Sequence, residues 1–271
     1  MPIKLIGWDC RRALAGSNTG PLPRPDHPQL GYPMGGRPGG AGRCCQPIAE
    51  AIGAPMKEDQ TMPTFYDCTP APSPRRARIV LAEKGIAHDV KIVDLSKAEQ
   101  LTPEFRAINP ACTVPVLVLD DGTVLTDNAG IAAWAEAAQP EPALLGRTPL
   151  EKAQVASWNS KIEGECFMAI AEVLRNKSKG MVDRALPGPH NYAQIPELAE
   201  RGRARLLHFL DRFEAHMAGR EWVATDSFTL ADITAGVALD FAGWVKVDVN
   251  EGRPAIAAWR AKLVGRPSFG L

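Results

Sequence analysis

The chain has 271 residues, with 31 basic and 31 acidic side chains, so its formal net charge is zero. That neutrality argues against an extended nucleic-acid or membrane-surface footprint, which needs a basic excess. No apolar run approaches the ~20 residues of a membrane span, and the length is ample for a packed core without disulfide or metal staples.

Proline is the outlier in composition, at 24 residues against a usual ~5%. Nine prolines and ten glycines fall within residues 1–61. Stretches such as Gly20-Pro21-Leu22-Pro23-Arg24-Pro25 hold turn-forming residues and little else. No helical or strand period is sustained there, so the segment cannot bury enough apolar surface to offset its ordering entropy. It is read as a disordered, dispensable extension, with folding expected from Met62 onward. Arg11-Arg12 lacks the apolar stretch of a secretion signal after it. The six cysteines (10, 44, 45, 68, 112 and 166) form neither a C-x-x-C pair nor a zinc spacing. They fit a reduced, cytoplasmic protein without metal.

From Met62 short strands and helices alternate. Thr64-Phe65-Tyr66 predicts a strand, Thr69 to Pro74 a turn, and Arg75 to Lys84 a helix ending at Gly85. Ala87 to Val93 is strand-like. Ser96 to Ala107 reads as a short helix interrupted at Pro103. Val116 to Leu119, the turn Asp120-Asp121-Gly122, and Thr123 to Leu125 predict a hairpin. Ala129 to Ala138 is helical, and Gln139-Pro140-Glu141-Pro142 marks a linker.

Beyond the linker the chain is nearly all helix. Val155, Trp158, Ile162, Cys166, Ala169 and Val173 mark one face of a long helix, and Leu206, Phe209, Leu210, Phe213 and Met217 mark another. Thr229 and Asp232 predict a reciprocal cap at the start of a helix over 229–242, with Phe228 and Ile233 flanking it as a hydrophobic staple. Ala255 to Leu263 is the last helix. The expected architecture is an α/β domain over 62–140 followed by an all-helical domain over 147–271.

Four segments in this order resemble the cytosolic glutathione S-transferases: Arg76 to Gly85, Asn109 to Leu117, Leu125 to Ile131, and Asp226 to Ile233. The resemblance runs from Met62 to the C-terminus. It implies a thioredoxin-like N-terminal domain that binds glutathione and a helical domain lining a pocket for a hydrophobic electrophile. A homodimer is also implied. The activity implied is conjugation of the glutathione thiolate to that electrophile. A glutathione-dependent isomerase, dehalogenase or peroxidase stands beside it, as does a non-catalytic glutathione- or partner-binding module.

A free thiol ionises near ~8.5, so the site must favour the thiolate. The unpaired N–H groups and dipole of a helix start do so. Where the commoner classes place Tyr, Ser or Cys, this chain has Cys68 to Pro74. That turn is closest to an atypical subgroup with a small residue there, in which backbone amides and a water replace the side chain. Ala71 fits that pattern through its backbone. Ser73 is the best side-chain candidate, with a plain helix cap as its other possible role, and Cys68 is either redox-active or a buried strand-end residue. By the same resemblance Pro115 is a cis-proline, with the Val114 backbone free to pair with glutathione. Cys112 stands in place of the usual Gly in that loop. Asp127 would accept the γ-glutamyl ammonium, and Asn128 would donate to its carboxylate or simply cap a helix. Gln100 and Thr113 would meet the glycyl end, although Gln100 also reads as a solvated surface residue. Trp158, Asn159, Ile162 and Phe167 are candidates for the electrophile pocket.

Overall fold

The structure, a computed structural model, describes residues 62–271; the extension expected over 1–61 lies outside the described residues. Strand β1 (Thr64–Asp67) alternates its side chains so that Phe65 and Asp67 point into the core. Helix α1 (Pro72–Glu83) carries the chain across to β2 (Asp89–Ile92), which pairs parallel to β1 from Thr64 opposite Asp89 to Asp67 opposite Ile92. A parallel pair needs such a crossover. Strand β3 (Val116–Val118) then runs antiparallel to β1, and β4 (Val124–Leu125) pairs antiparallel with β3. The sheet order is β2-β1-β3-β4.

Helix α3 (Asn128–Ala138) packs with α1 on this sheet. Phe65, Leu81, Leu117 and Ile131 are fully buried between them, each contributing about 1.5–3 kcal/mol.

Three boundaries differ from the sequence-based expectation. Helix α1 starts three residues earlier, because prolines are well accommodated in a first turn that makes no internal hydrogen bonds. The single helix expected over 96–107 is instead two 3₁₀ turns (Leu95–Lys97 and Glu99–Leu101) followed by α2 (Pro103–Ile108). Ala98, at φ 58°, separates the two turns, and Thr102 caps α2, so Pro103 begins a helix rather than interrupting one. The strand expected over 87–93 shortens to an exposed edge.

The helical part opens with α4 (Pro149–Lys161), passes through one π-helical turn (Ile162–Phe167) and continues as α5 (Met168–Lys177). The periodic face read as one helix is thus interrupted by a wider turn. Helix α6 (Pro196–Met217) crosses α5 closely at Gly202, where an added Cβ would lie 2.7 Å from the Ala169 carbonyl oxygen. Helix α7 (Leu230–Ala242) is buried almost all round, and α8 (Pro254–Val264) covers it together with a terminal 3₁₀ turn, Pro267–Gly270.

Charged groups fasten the two layers together. Lys84, at the end of α1, donates to the carbonyls of Pro140 and Pro142 and pairs with Glu136. Glu136 in turn accepts from the amides of Leu144 and Leu145. The Pro-rich linker is therefore held along its length. Arg75 on α1 pairs with Asp240 on α7 at 2.7 Å and donates to the Phe269 carbonyl. Glu83 accepts from Arg266 and Ser268 of the terminal segment.

Candidate functional site

The site is built on the start of α1. Asp67 at the end of β1 is buried. It accepts from the Cys68 amide and from Arg78, each at 2.7 Å, and the Ala71 amide closes the turn onto the Cys68 carbonyl at 2.8 Å. This buried ion pair sets the angle at which the chain enters α1. Spacing alone does not reveal it, since it joins a strand end to a helix face eleven residues on. Cys68 itself packs inward against Val93, Phe105, Val114 and Val116, as a buried strand-end residue does.

Ala71 occupies the cap position of α1 with extended backbone and supplies no side-chain hydrogen bond. Pro72 and Pro74 take the first and third positions, and neither has an N–H. The first turn therefore offers one outward amide, that of Ser73. Among the described residues this amide has no partner. Ser73 lies inside the helix at its second position, so it is not the cap of α1.

A second helix start meets the first. Asp127 caps α3, its carboxylate accepting from the Gly130 amide at 2.7 Å. Asn128 follows as the first helical residue, and its side-chain amide donates to Ser73 Oγ at 3.0 Å. The capping role open to Asn128 thus belongs to its neighbour. Asn128 Oδ1 is buried and has no partner among the described residues.

The loop before β3 forms the third side. The Val114–Pro115 peptide is cis, and the N–H and C=O of Val114 are unpaired among the described residues. Asn109, 1% exposed, shapes this loop by donating to both the carbonyl and hydroxyl of Thr113 and by accepting from the Ala111 amide. Cys112 adopts φ 54°, so the left-handed position that glycine fills most easily is retained with a Cβ present. Gln100 sits in the second 3₁₀ turn, and its Oε1 is buried without a partner among the described residues.

The four pocket candidates separate. Phe167 lies at the seam between the layers. The Arg76 guanidinium sits 4.6 Å over its ring and pairs with Glu163 of the π-helical turn at 2.5 Å. Ile162 is fully buried in the helical core and has no surface to offer a substrate. Asn159 is engaged by the Thr234 hydroxyl at 2.6 Å, and the Trp158 ring lies against His216, centroids 3.9 Å apart and planes tilted by 32°. Sequence reasoning missed Arg76 and Glu163, whose partnership depends on how the layers dock.

Two concavities are lined by none of the candidate residues. One, of about 440 Å³, runs across β2 and α2 at Tyr66, Lys91 and Phe105, and the other, of about 260 Å³, lies at Arg205, His208 and Arg212. Among the described residues no cluster of three His, Cys, Asp or Glu is placed to hold a metal, and no helix is long and apolar enough to cross a membrane.

Comparison with known proteins accounts for this arrangement. Residues 71–138 match the glutathione S-transferase N-terminal domain family, and residues 167–267 match the C-terminal domain family. The chain is 37% identical to glutathione S-transferase 2 of Saccharomyces cerevisiae over 207 residues, covering 75% of this chain and 86% of that one. The crystal structure of Gtt2 from the same yeast superposes with a TM-score of 0.70 at 36% identity, over 76% of this chain and 98% of that one. A glutathione S-transferase domain-containing protein of Marinobacter aquaeolei superposes equally well, at 33% identity over 76% and 99% of the two chains. With a thioredoxin-like α/β domain, a helical domain and these matches, the chain belongs to the glutathione S-transferase family.

Proposed function

We propose that this protein binds glutathione at the starts of α1 and α3, stabilises its thiolate and transfers it to a hydrophobic electrophile. The observation that carries this reading is the open first turn of α1. There Ser73 brings an amide unpaired among the described residues and a hydroxyl to the positive end of a 12-residue helix. Ala71 contributes by being small and by leaving that turn uncapped.

Within this reading residues 62–140 hold glutathione and residues 147–271 line the electrophile site. The Val114 backbone pairs with the cysteinyl main chain like an added strand. Asp127 faces the γ-glutamyl ammonium, and Gln100 and Thr113 face the glycyl end. Of the four pocket candidates, Phe167 is favoured by its place at the seam. The three described cysteines are free and buried, which suits a cytoplasmic location. The homodimer implied by the family resemblance belongs to the same reading.

Incubation with glutathione and a panel of apolar electrophiles should give thioether conjugates. Isomerised, dehalogenated or reduced products without conjugate would favour the other catalytic chemistries of this fold. Binding without any product would favour a non-catalytic module. Ser73→Ala should lower turnover by no more than about tenfold, because the helix terminus and its amide persist. Near-total loss with glutathione binding intact would overturn that division of labour.

A further inference from the structure

The Ser73 hydroxyl carries one proton and two lone pairs. One lone pair accepts from the Asn128 side-chain amide at 3.0 Å, so the proton must point elsewhere. A serine in a helix can donate that proton to a backbone carbonyl three or four residues earlier. Here the carbonyl four residues earlier, that of Thr69, accepts from Arg78 instead. No other group among the described residues accepts from the hydroxyl.

Among the described residues the Asn128 side chain has no other hydrogen-bond partner. Asp127 performs the capping of α3, and the Asn128 side-chain oxygen is buried with no partner among the described residues. The amide's one internal commitment is therefore its donation to Ser73. The oxygen left over awaits a donor that a ligand would bring.

We propose that Asn128 is the positioning residue of the Ser73 hydroxyl, fixing it so that its proton points out of the protein toward the sulfur of bound glutathione. This rests on the thiolate reading above and adds to it a link between the two helix starts. No proton passes to Ser73. The thiol proton leaves to solvent, and the serine keeps its own proton while donating a hydrogen bond to the thiolate. Asn128 need not touch the sulfur.

The test is the ultraviolet thiolate absorbance of enzyme-bound glutathione against pH, with the glutathione Kd measured alongside. Ser73→Ala should raise the bound thiol's pKa by about one unit, a tenfold smaller thiolate share below it. Asn128→Ala should raise it by a similar amount, and the double variant by no more than either alone, because the two act as one device. Asn128→Asp nearly preserves shape but draws the hydroxyl proton to its carboxylate. It should match Ser73→Ala, and it carries the test if Asn128→Ala lowers the melting temperature.

Asn128 variants that weaken glutathione binding while leaving the thiol pKa in place would reduce Asn128 to a ligand contact and overturn the proposal. So would additive shifts in the double variant. A depressed pKa that Ser73→Ala does not move would leave the functional reading standing on the helix amide and remove this one. An undepressed pKa in the unaltered protein would remove both.

Discussion

Helix α7 begins with Thr229 and Asp232 closing its own first turn, whereas α1 begins with Ala71 and leaves its first turn open. Asp232 is fully buried and accepts from the amides of Val223 and Thr229, the Thr229 hydroxyl and the Trp259 indole. Burial pushes its carboxyl up to about 6, against the pull of those donors. At α1 there is no side-chain acceptor, two of the first three positions lack an N–H, and the remaining amide faces outward. A helix start attracts an anion in both cases. One supplies its anion from within the chain and gains rigidity, and the other leaves the position to a ligand.

The far end of α1 is held firmly. Lys84 grips the linker and Glu83 grips the terminal segment, so the opening is confined to the start of the helix.

Four changes would break or sharpen this contrast. Asp232→Ala strands several buried donors and should cost about 3 kcal/mol in urea unfolding, with the bound-thiol pKa unmoved in protein that remains folded. A cost under about 1 kcal/mol would mean that the closed start is not structural. Lys84→Met removes the fully buried ammonium that holds the linker. It should cost about 2 kcal/mol, read the same way.

Ala71→Asp would give α1 the internal anion that α7 already has. It should stabilise the helix by up to about 1 kcal/mol while lowering glutathione turnover about tenfold. Higher stability with unchanged turnover would sever the open terminus from catalysis.

The smallest effect concerns Glu83. Burial alone would raise its pKa, but hydrogen bonds from Arg266 and Ser268 and the Arg266 charge together hold it below its ordinary 4.5. A depressed folded value means that its contribution is present above pH 4.5 and is lost as pH falls through the folded value. The stability gap between the protein and Glu83→Gln should be under about 1 kcal/mol at neutral pH, given its partial exposure. That gap should close on acidification. A gap that widened with acid would reverse the sign.

Much of the fold was legible because local signals agreed with the tertiary outcome. The reciprocal cap of Thr229 and Asp232, the hairpin around Gly122 and the apolar faces of the long helices all follow from spacing. The cis peptide before Pro115 was expected from the family resemblance.

The region 95–108 departs from its sequence pattern because a proline inside a periodic stretch can end a helix or begin one, and the Thr102 cap decides the outcome. The π-helical turn keeps residues three and four apart on roughly one side, so the apolar pattern did not reveal it. At the site, Ala71, Ser73 and Asn128 were singled out from the sequence. Their connection was not, because the Ser73–Asn128 hydrogen bond spans 55 positions and depends on how α1 and α3 pack. Ile162 shows the converse limit: a periodic apolar position reads alike whether it faces the core or a pocket, and here it faces the core.

The most direct test of the open helix start is the titration of glutathione's thiol on the unaltered protein. The account predicts an apparent pKa at least about one unit below the ~8.5 of a free thiol. A bound thiol that titrates at its free value would contradict it.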